Sequence, residues 1–347
     1  MMGSETRKVV EEVSGWLRVF DDGTVDRTWT GPPEARFLMD SVPPYDVPRD
    51  GITVHDISGA VHPSARVYVP RGCRGGGHRA GKVPVLLHFH GGGFCISHAT
   101  WLMYHQFYSR VASSIPAIVV SPFLPLAPEN RLPAALDACY DALLWLRELA
   151  ASAREDGTSA AGSALWESAD FSRVFLVGDS SGGNLVHAVA ARAGEAGEGF
   201  WLPLKVAGGI PIHPGFVRSS RSKSELEGVP DPFLTLDMLD KFLAFALPEG
   251  SSKDNAITCP MGEAAAPMAG LRLPPFLVFV AAGDLIRDTI LEYCEAVKRA
   301  GKDVKVFVSQ GVGHSFYLNK MAVDMDPTTG KRCQELILAI KDFVDRH

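Results

Sequence analysis

No apolar run in the sequence approaches the roughly 18 residues that cross a bilayer; even the apolar stretch 83–89 soon meets Gly91, Gly92 and Gly93. A membrane-spanning helix is therefore not expected. Residues 1–12 carry Glu5, Arg7, Lys8, Glu11 and Glu12 and lack the apolar centre of a signal peptide, so nothing there directs export. Charge of one sign is not in excess either. The 34 Lys and Arg against 40 Asp and Glu leave a net −6 with no clustered basic stripe, which argues against a nucleic-acid surface or a polybasic membrane patch. Cysteine is scarce: Cys73, Cys95, Cys139, Cys259, Cys294 and Cys333 are scattered, without the short paired spacing of a zinc site. Reduced thiols are expected, in a protein of the cytoplasm with the nucleus as a second location.

What is present is an ordinary globular composition, 46% hydrophobic and 21% charged, in a chain of 347 residues that can form one large domain, 1–347, around a single core. Residues 16–20 and 24–28 alternate apolar and polar side chains around Asp21-Asp22-Gly23, the pattern of a hairpin. After a proline-rich stretch, 52–57 and 65–69 read as two further strands. Near-continuous apolar runs at 83–89, 117–120, 174–177, 206–212, 276–281 and 304–308 predict strands buried on both faces. Helical patterns at 134–149, 183–192, 289–299 and 332–344 alternate with them, so the fold class is α/β with a mostly parallel, wound sheet and helices on both faces. Residues 71–82, rich in Gly and Arg, predict a surface loop. The long stretch 214–260, with its own helical piece at 236–247, is the natural cap over the carboxyl ends of the strands, where open α/β sheets bind ligands.

The chemistry concentrates at strand ends. Gly178-Asp179-Ser180-Ser181-Gly182-Gly183 follows one apolar strand and opens a helix, the context of a nucleophile elbow. A sharp strand-to-helix turn strains its central residue, and small neighbours let adjoining chain approach while the Ser180 hydroxyl projects. Upstream, strand 83–89 ends in His90-Gly91-Gly92-Gly93-Phe94. Glycines let bare amides converge on an oxyanion, so Gly91, Gly92 and Gly93, together with the amide of Ser181, are the candidate oxyanion hole.

A serine hydroxyl needs a histidine to take its proton and a carboxylate to hold that histidine. Strand 276–281 is followed by Asp284 and strand 304–308 by Gly313-His314-Ser315, giving the order Ser, acid, His. Asp284 is the candidate acid because it comes first after its strand, whereas Asp288 opens the next helix and can cap it. Of the 11 histidines, His314 alone follows the last core strand in a glycine-flanked turn. His90, His187 and His213 read as structural or pocket-lining; Phe94, His213, Phe216 and Phe316 lie near the loops concerned and are the candidate substrate contacts. No cluster has metal-ligand spacing and no Gly-x-Gly-x-x-Gly opens a helix after the first strand, so neither a metal nor another cofactor is expected.

These motifs, with the segment 123–135 (Phe-Leu-Pro-Leu-Ala-Pro-Glu-Asn-Arg-Leu-Pro-Ala-Ala), resemble the hormone-sensitive-lipase-like carboxylesterases of the α/β-hydrolase fold, over nearly the whole chain. Within the plant carboxylesterases, the segments 14–20, 28–33, 212–219 and 313–320 are similar to the carboxylesterase 15 type, linked to strigolactone hydrolysis. The resemblance implies an acyl-enzyme mechanism, a small apolar ester or butenolide lactone as partner, and a lid formed by about 1–20 together with 214–260. Two other readings stay open: a broad-specificity esterase for short acyl groups, and a non-catalytic hormone-binding protein like the gibberellin receptors, which resemble this family but lack a histidine at the position of His314.

Overall fold

The computed structural model describes residues 7–58, 63–71, 81–155, 163–229, 231 and 233–347. The chain opens with a small antiparallel sheet of β1 (Val9–Val13), β2 (Leu17–Phe20) and β3 (Val25–Asp26). Next come β4 (Tyr45–Arg49), β5 (Ile52–Ile57), β6 (Ala65–Pro70) and β7 (Val83–Phe89), then α1 (Leu102–Ser114), β8 (Ile118–Pro122), α2 (Ala134–Glu155) and α3 (Ser163–Trp166). The long β9 (Ala169–Asp179) leads into α4 (Ser181–Ala196), followed by α5 (Glu198–Trp201) and β10 (Val206–Ile212). After α6 (Lys223–Glu227) and α7 (Leu236–Ala246) the chain returns through β11 (Phe276–Ala281), α8 (Arg287–Arg299), β12 (Val304–Ser309), α9 (Lys320–Met325) and α10 (Pro327–Arg346).

Nine strands form the main sheet in the order β12-β11-β10-β9-β7-β8-β6-β5-β4. From β8 to β12 every neighbour pair is parallel, and the β4-β5-β6 end is antiparallel. Strand periodicity divides the core in two. Along β7, Val85, Leu87 and Phe89 face one cluster, with Leu143 and Leu146 of α2 and Leu185 and Val189 of α4. Leu86 faces the other, with Phe107 and Val111 of α1 and Leu336 and Ile340 of α10. Helices thus cover both faces, and the carboxyl ends of the parallel strands open on one side.

The architecture differs from what the sequence predicts at several points. The run 304–308 forms β12, but as an edge strand: among the described residues it pairs with β11 alone, and Val306 and Val308 are 37% and 42% exposed rather than buried on both faces. The predicted hairpin gains a third strand, β1, and its second arm is reduced to two residues. In the proline-rich stretch, β4 forms at the sheet edge, where Pro48 costs no interior ladder bond. The loop predicted at 71–82 falls largely outside the described residues.

Lys241 and Arg27 help join the amino-terminal segment to the rest. Lys241 of α7 pairs with Glu11 at 3.0 Å and donates to the Glu12 carbonyl at 2.8 Å. Arg27 donates to the carbonyls of Cys95 (2.6 Å) and Ala127 (2.9 Å) and to Glu129 (2.8 Å). Among the described residues no helix is long and apolar enough to cross a membrane.

Candidate active site

At the junction of β9 and α4, Ser180 has φ 51° and ψ −122°. A non-glycine residue pays about 1–3 kcal/mol for such a conformation, which persists only where its surroundings fix it. Here they do. A Cβ on Gly178 would lie 2.3 Å from the Gly182 carbonyl oxygen, and one on Gly182 would lie 2.0 Å from that of Phe89, so both flanks of the turn admit only glycine.

Three strand ends bring three side chains together. The Ser180 hydroxyl lies 3.0 Å from His314 Nε2, and His314 Nδ1 lies 2.7 Å from Asp284 Oδ2. An ionised carboxylate only accepts, so Nδ1 carries the proton and Nε2 is free to accept from the hydroxyl. Asp284 Oδ1 accepts the Ile286 amide at 3.1 Å, and the Gly283 amide donates to the Val312 carbonyl at 3.0 Å, tying the acid turn to the histidine turn. Burial disfavours the His314 imidazolium, but the Asp284 carboxylate, helped by Asp231 and Asp179, outweighs it and holds the pKa above the ordinary imidazole value. Burial likewise disfavours the Asp284 carboxylate; His314 reverses this and leaves its pKa below the usual carboxyl range. Asp288 is elsewhere: its Oδ2 accepts the Ser224 amide at 2.8 Å, its own amide donates to the Ser224 hydroxyl at 3.1 Å, and it links α8 to α6.

Gly92 and Gly93, at φ 99° and 60°, line the cavity in front of Ser180 together with Ser181. Ser181 stands in the first turn of α4, where helix amides lack intrahelical partners and the dipole favours negative charge. Gly91 differs from the expectation. Its amide is donated to Asp179 Oδ2 at 3.1 Å, so it anchors the loop and is not available to an oxyanion.

The cavity measures about 60 Å³. Its walls are apolar: Trp16 from the amino-terminal segment, Phe94, Ile286 and Leu318, and Met238, Leu239, Phe242 and Leu243 from one stripe of α7. Of the four expected substrate contacts, Phe94 lines it. Phe216 is fully buried against Tyr293 (4.2 Å between ring centroids), and Phe316 packs on His213 (5.7 Å). His213 is itself fully buried, its pKa pushed down to about 3 by burial. All three follow strand ends as expected, but none lines the cavity: Phe216 packs with Tyr293 and His187, whereas His213 and Phe316 pack with each other and with Tyr317. Sequence inspection missed Trp16 and the α7 residues; the amphipathic stripe of α7 is the signal that could have found the latter.

Among the described residues one group, His213, Asp284 and His314, has potential metal-ligand atoms within 4.8 Å of one another. Sequence spacing could not reveal it, because three separate strand ends supply it. Its donors are largely engaged already: Asp284 and His314 hold each other, and His213 Nδ1 accepts the Ser315 amide at 3.0 Å.

Residues 86–318 match a family described as alpha/beta hydrolase fold, and the chain belongs to it. Among its relatives, it is 34% identical to "Probable carboxylesterase 6" of Arabidopsis thaliana, over 94% of this chain and 90% of that protein. It is 36% identical to "Gibberellin receptor GID1C" of Arabidopsis thaliana over 68% of this chain and 63% of the receptor. Among solved structures, it resembles a hyperthermophilic esterase from the archaeon Pyrobaculum calidifontis, with a TM-score of 0.65 and 26% identity over 84% of each chain.

Proposed function

We propose that the chain is a serine carboxylesterase, and the observation that carries this reading is the hydrogen-bonded series Ser180–His314–Asp284. His314 Nε2 takes the hydroxyl proton as Ser180 Oγ attacks the ester carbonyl. The amides of Gly92, Gly93 and Ser181 hold the oxyanion. The tetrahedral adduct collapses as imidazolium returns the proton to the leaving alcohol, and a water, deprotonated in turn by His314, releases the acid and regenerates Ser180. Asp284 keeps the imidazole in its tautomer and stabilises the imidazolium. The complete series favours turnover over the non-catalytic hormone-binding reading.

Residues 1–347 are read as one domain whose lid combines about 1–20 with 214–260; Trp16 and the α7 stripe, on walls of one cavity, support this. The substrate is a small apolar ester or lactone, with a strigolactone-type butenolide as the specific reading. Its supports are the plant-type segments 14–20, 28–33, 212–219 and 313–320 and the absence, among the described residues lining the cavity, of any Lys or Arg to attract an anionic ligand. The cavity volume favours a second reading, short acyl esters, since a hormone-sized ligand has to displace part of the wall. Cytoplasmic location, with the nucleus as a second site, fits the free thiols of Cys95, Cys139, Cys259, Cys294 and Cys333. Incubation with a synthetic strigolactone separates the two substrate readings: release of the butenolide fragment well above the buffer rate is expected, and none at micromolar protein leaves the short-acyl reading.

A further inference from the structure

Beneath the site lies a second Ser–His–Asp series that the mechanism does not use. Ser121 of β8, His88 of β7 and Asp179 of β9 stand on three neighbouring strands near their carboxyl ends, 2%, 0% and 1% exposed. Ser121 Oγ lies 2.6 Å from His88 Nδ1, and His88 Nε2 lies 3.0 Å from Asp179 Oδ1. The ring of Tyr108 covers the imidazole at 3.7 Å between centroids. Donor and acceptor inventory fixes the protons: the Asp179 carboxylate only accepts, so Nε2–H donates to it, and Nδ1 accepts the Ser121 hydroxyl proton. With its proton directed at a ring nitrogen and no solvent access, Ser121 is no second nucleophile.

The series ends at the oxyanion loop. The second oxygen of Asp179 accepts the Gly91 amide at 3.1 Å, and a Cβ on Gly91 would lie 2.6 Å from that oxygen and 3.1 Å from Ser180 Cβ. We propose that His88, held by Ser121, is a positioning residue for the oxyanion hole: it fixes the Asp179 carboxylate, which in turn fixes Gly91 and so the aim of the Gly92 and Gly93 amides. Without His88 a buried carboxylate loses one of its donors and reorients toward others, carrying Gly91 with it.

The inference rests on the oxyanion role given to Gly92 and Gly93 in the proposed esterase. Its test compares wild type with His88→Phe, His88→Gln and Ser121→Ala, measuring p-nitrophenyl acetate kinetics and inhibition by an aryl trifluoromethyl ketone, whose Ser180 adduct places an oxyanion in the hole. Losing one oxyanion donor costs about 10²–10³-fold in kcat, so a misaimed pair in His88→Phe is expected to cost about 10–100-fold, with KM within about twofold and ketone affinity falling in parallel. Glutamine, whose Nε2 can replace the ring Nε2–H, recovers most of the loss. Ser121→Ala, which folds more readily, shows a several-fold fall in both kcat and ketone affinity. Lower thermal stability with kcat and ketone affinity unchanged in the variants that fold overturns the proposal, as does a Gln variant no better than Phe. If wild-type enzyme does not bind the ketone, or Ser180→Ala retains turnover, the esterase reading fails and the relay fails with it.

Discussion

His213 Nδ1 accepts the backbone amide of Ser315 at 3.0 Å, and both residues sit at positive φ, 46° and 50°. One hydrogen bond thus joins two strained residues immediately beside His314. The bond orients the proton of His213 toward Nε2, which has no partner in its buried surroundings. Such strain persists only where packing over-determines it, and the closed aromatic layer of His213, Phe316 and Tyr317 supplies that packing.

His213 is therefore expected to act through the His314 turn and not through substrate. His213→Phe is expected to lower kcat by about 10-fold or more with little change in KM, because a turn misplaced by about 1 Å can cost up to 100-fold. His213→Asn, whose side-chain oxygen can take the Ser315 amide, retains more activity. Steady-state kinetics of the two variants check this; a KM effect larger than the kcat effect would restore His213 as a substrate contact.

The two aspartates of the 284–288 turn separate cleanly. Asp284→Asn is expected to cut kcat by about 10⁴-fold, since an amide no longer enforces the imidazole tautomer. Asp288→Asn weakens the staple to Ser224 and lowers stability by about 1 kcal/mol, with activity within about threefold. Kinetics alongside thermal melts decide, and the reverse ranking would exchange their roles.

As the proposed base, His314 must be neutral to work, so kcat/KM should rise with pH through a pKa above the ordinary imidazole value of about 6.5. Asp231 approaches from the insertion: its carboxylate sits so close to Gly313 that a Cβ there would lie 1.9 Å from Oδ2, and its charge raises the His314 pKa. Asp231→Asn is expected to move the acid limb of the profile to lower pH. The stability signs follow from the same shifts. The raised His314 contributes stability that is complete below its unfolded pKa and fades as pH rises through the folded one. The lowered Asp284 contributes above the unfolded carboxyl value and loses it as pH falls through the folded one. His213, depressed to about 3, is forced to stay neutral, so it costs stability progressively as pH falls below about 6.5.

Cavity size should set acyl length. Trp16 packs edge-on to Trp29 at 4.5 Å and stacks with Trp101 at 6.5 Å, holding the amino-terminal wall closed. Trp16→Ala is expected to raise the ratio of kcat/KM for p-nitrophenyl hexanoate over acetate by at least about fivefold. An unchanged ratio would remove Trp16 from the acyl wall.

The strands that carry the candidate site were legible because each is a short apolar run ending in a chemically unusual turn: β7 before the glycines, β9 before Ser180, β11 before Asp284. The helix α1 was not. Its buried face, Met103, Tyr104, Phe107, Tyr108, Val111 and Ala112, has helical spacing, but aromatic and β-branched residues of modest helix propensity supply most of it and polar Gln106 is buried beside them. Gly91 misled because its sequence context matches that of Gly92 and Gly93, while its amide is claimed by Asp179, 88 residues away in the chain. His88 and Asp231 escaped for a related reason: their partners come from distant elements, and only the folded sheet brings them into register, whereas 236–247 was expected in the cap without its wall residues being singled out.

The proposed mechanism turns on Ser180 as the nucleophile. Turnover of p-nitrophenyl acetate by wild type and Ser180→Ala, matched for folded concentration by circular dichroism, tests it most directly. The alanine variant is expected to fall to the buffer rate; a substantial fraction of wild-type turnover retained in it would reject Ser180 as the nucleophile.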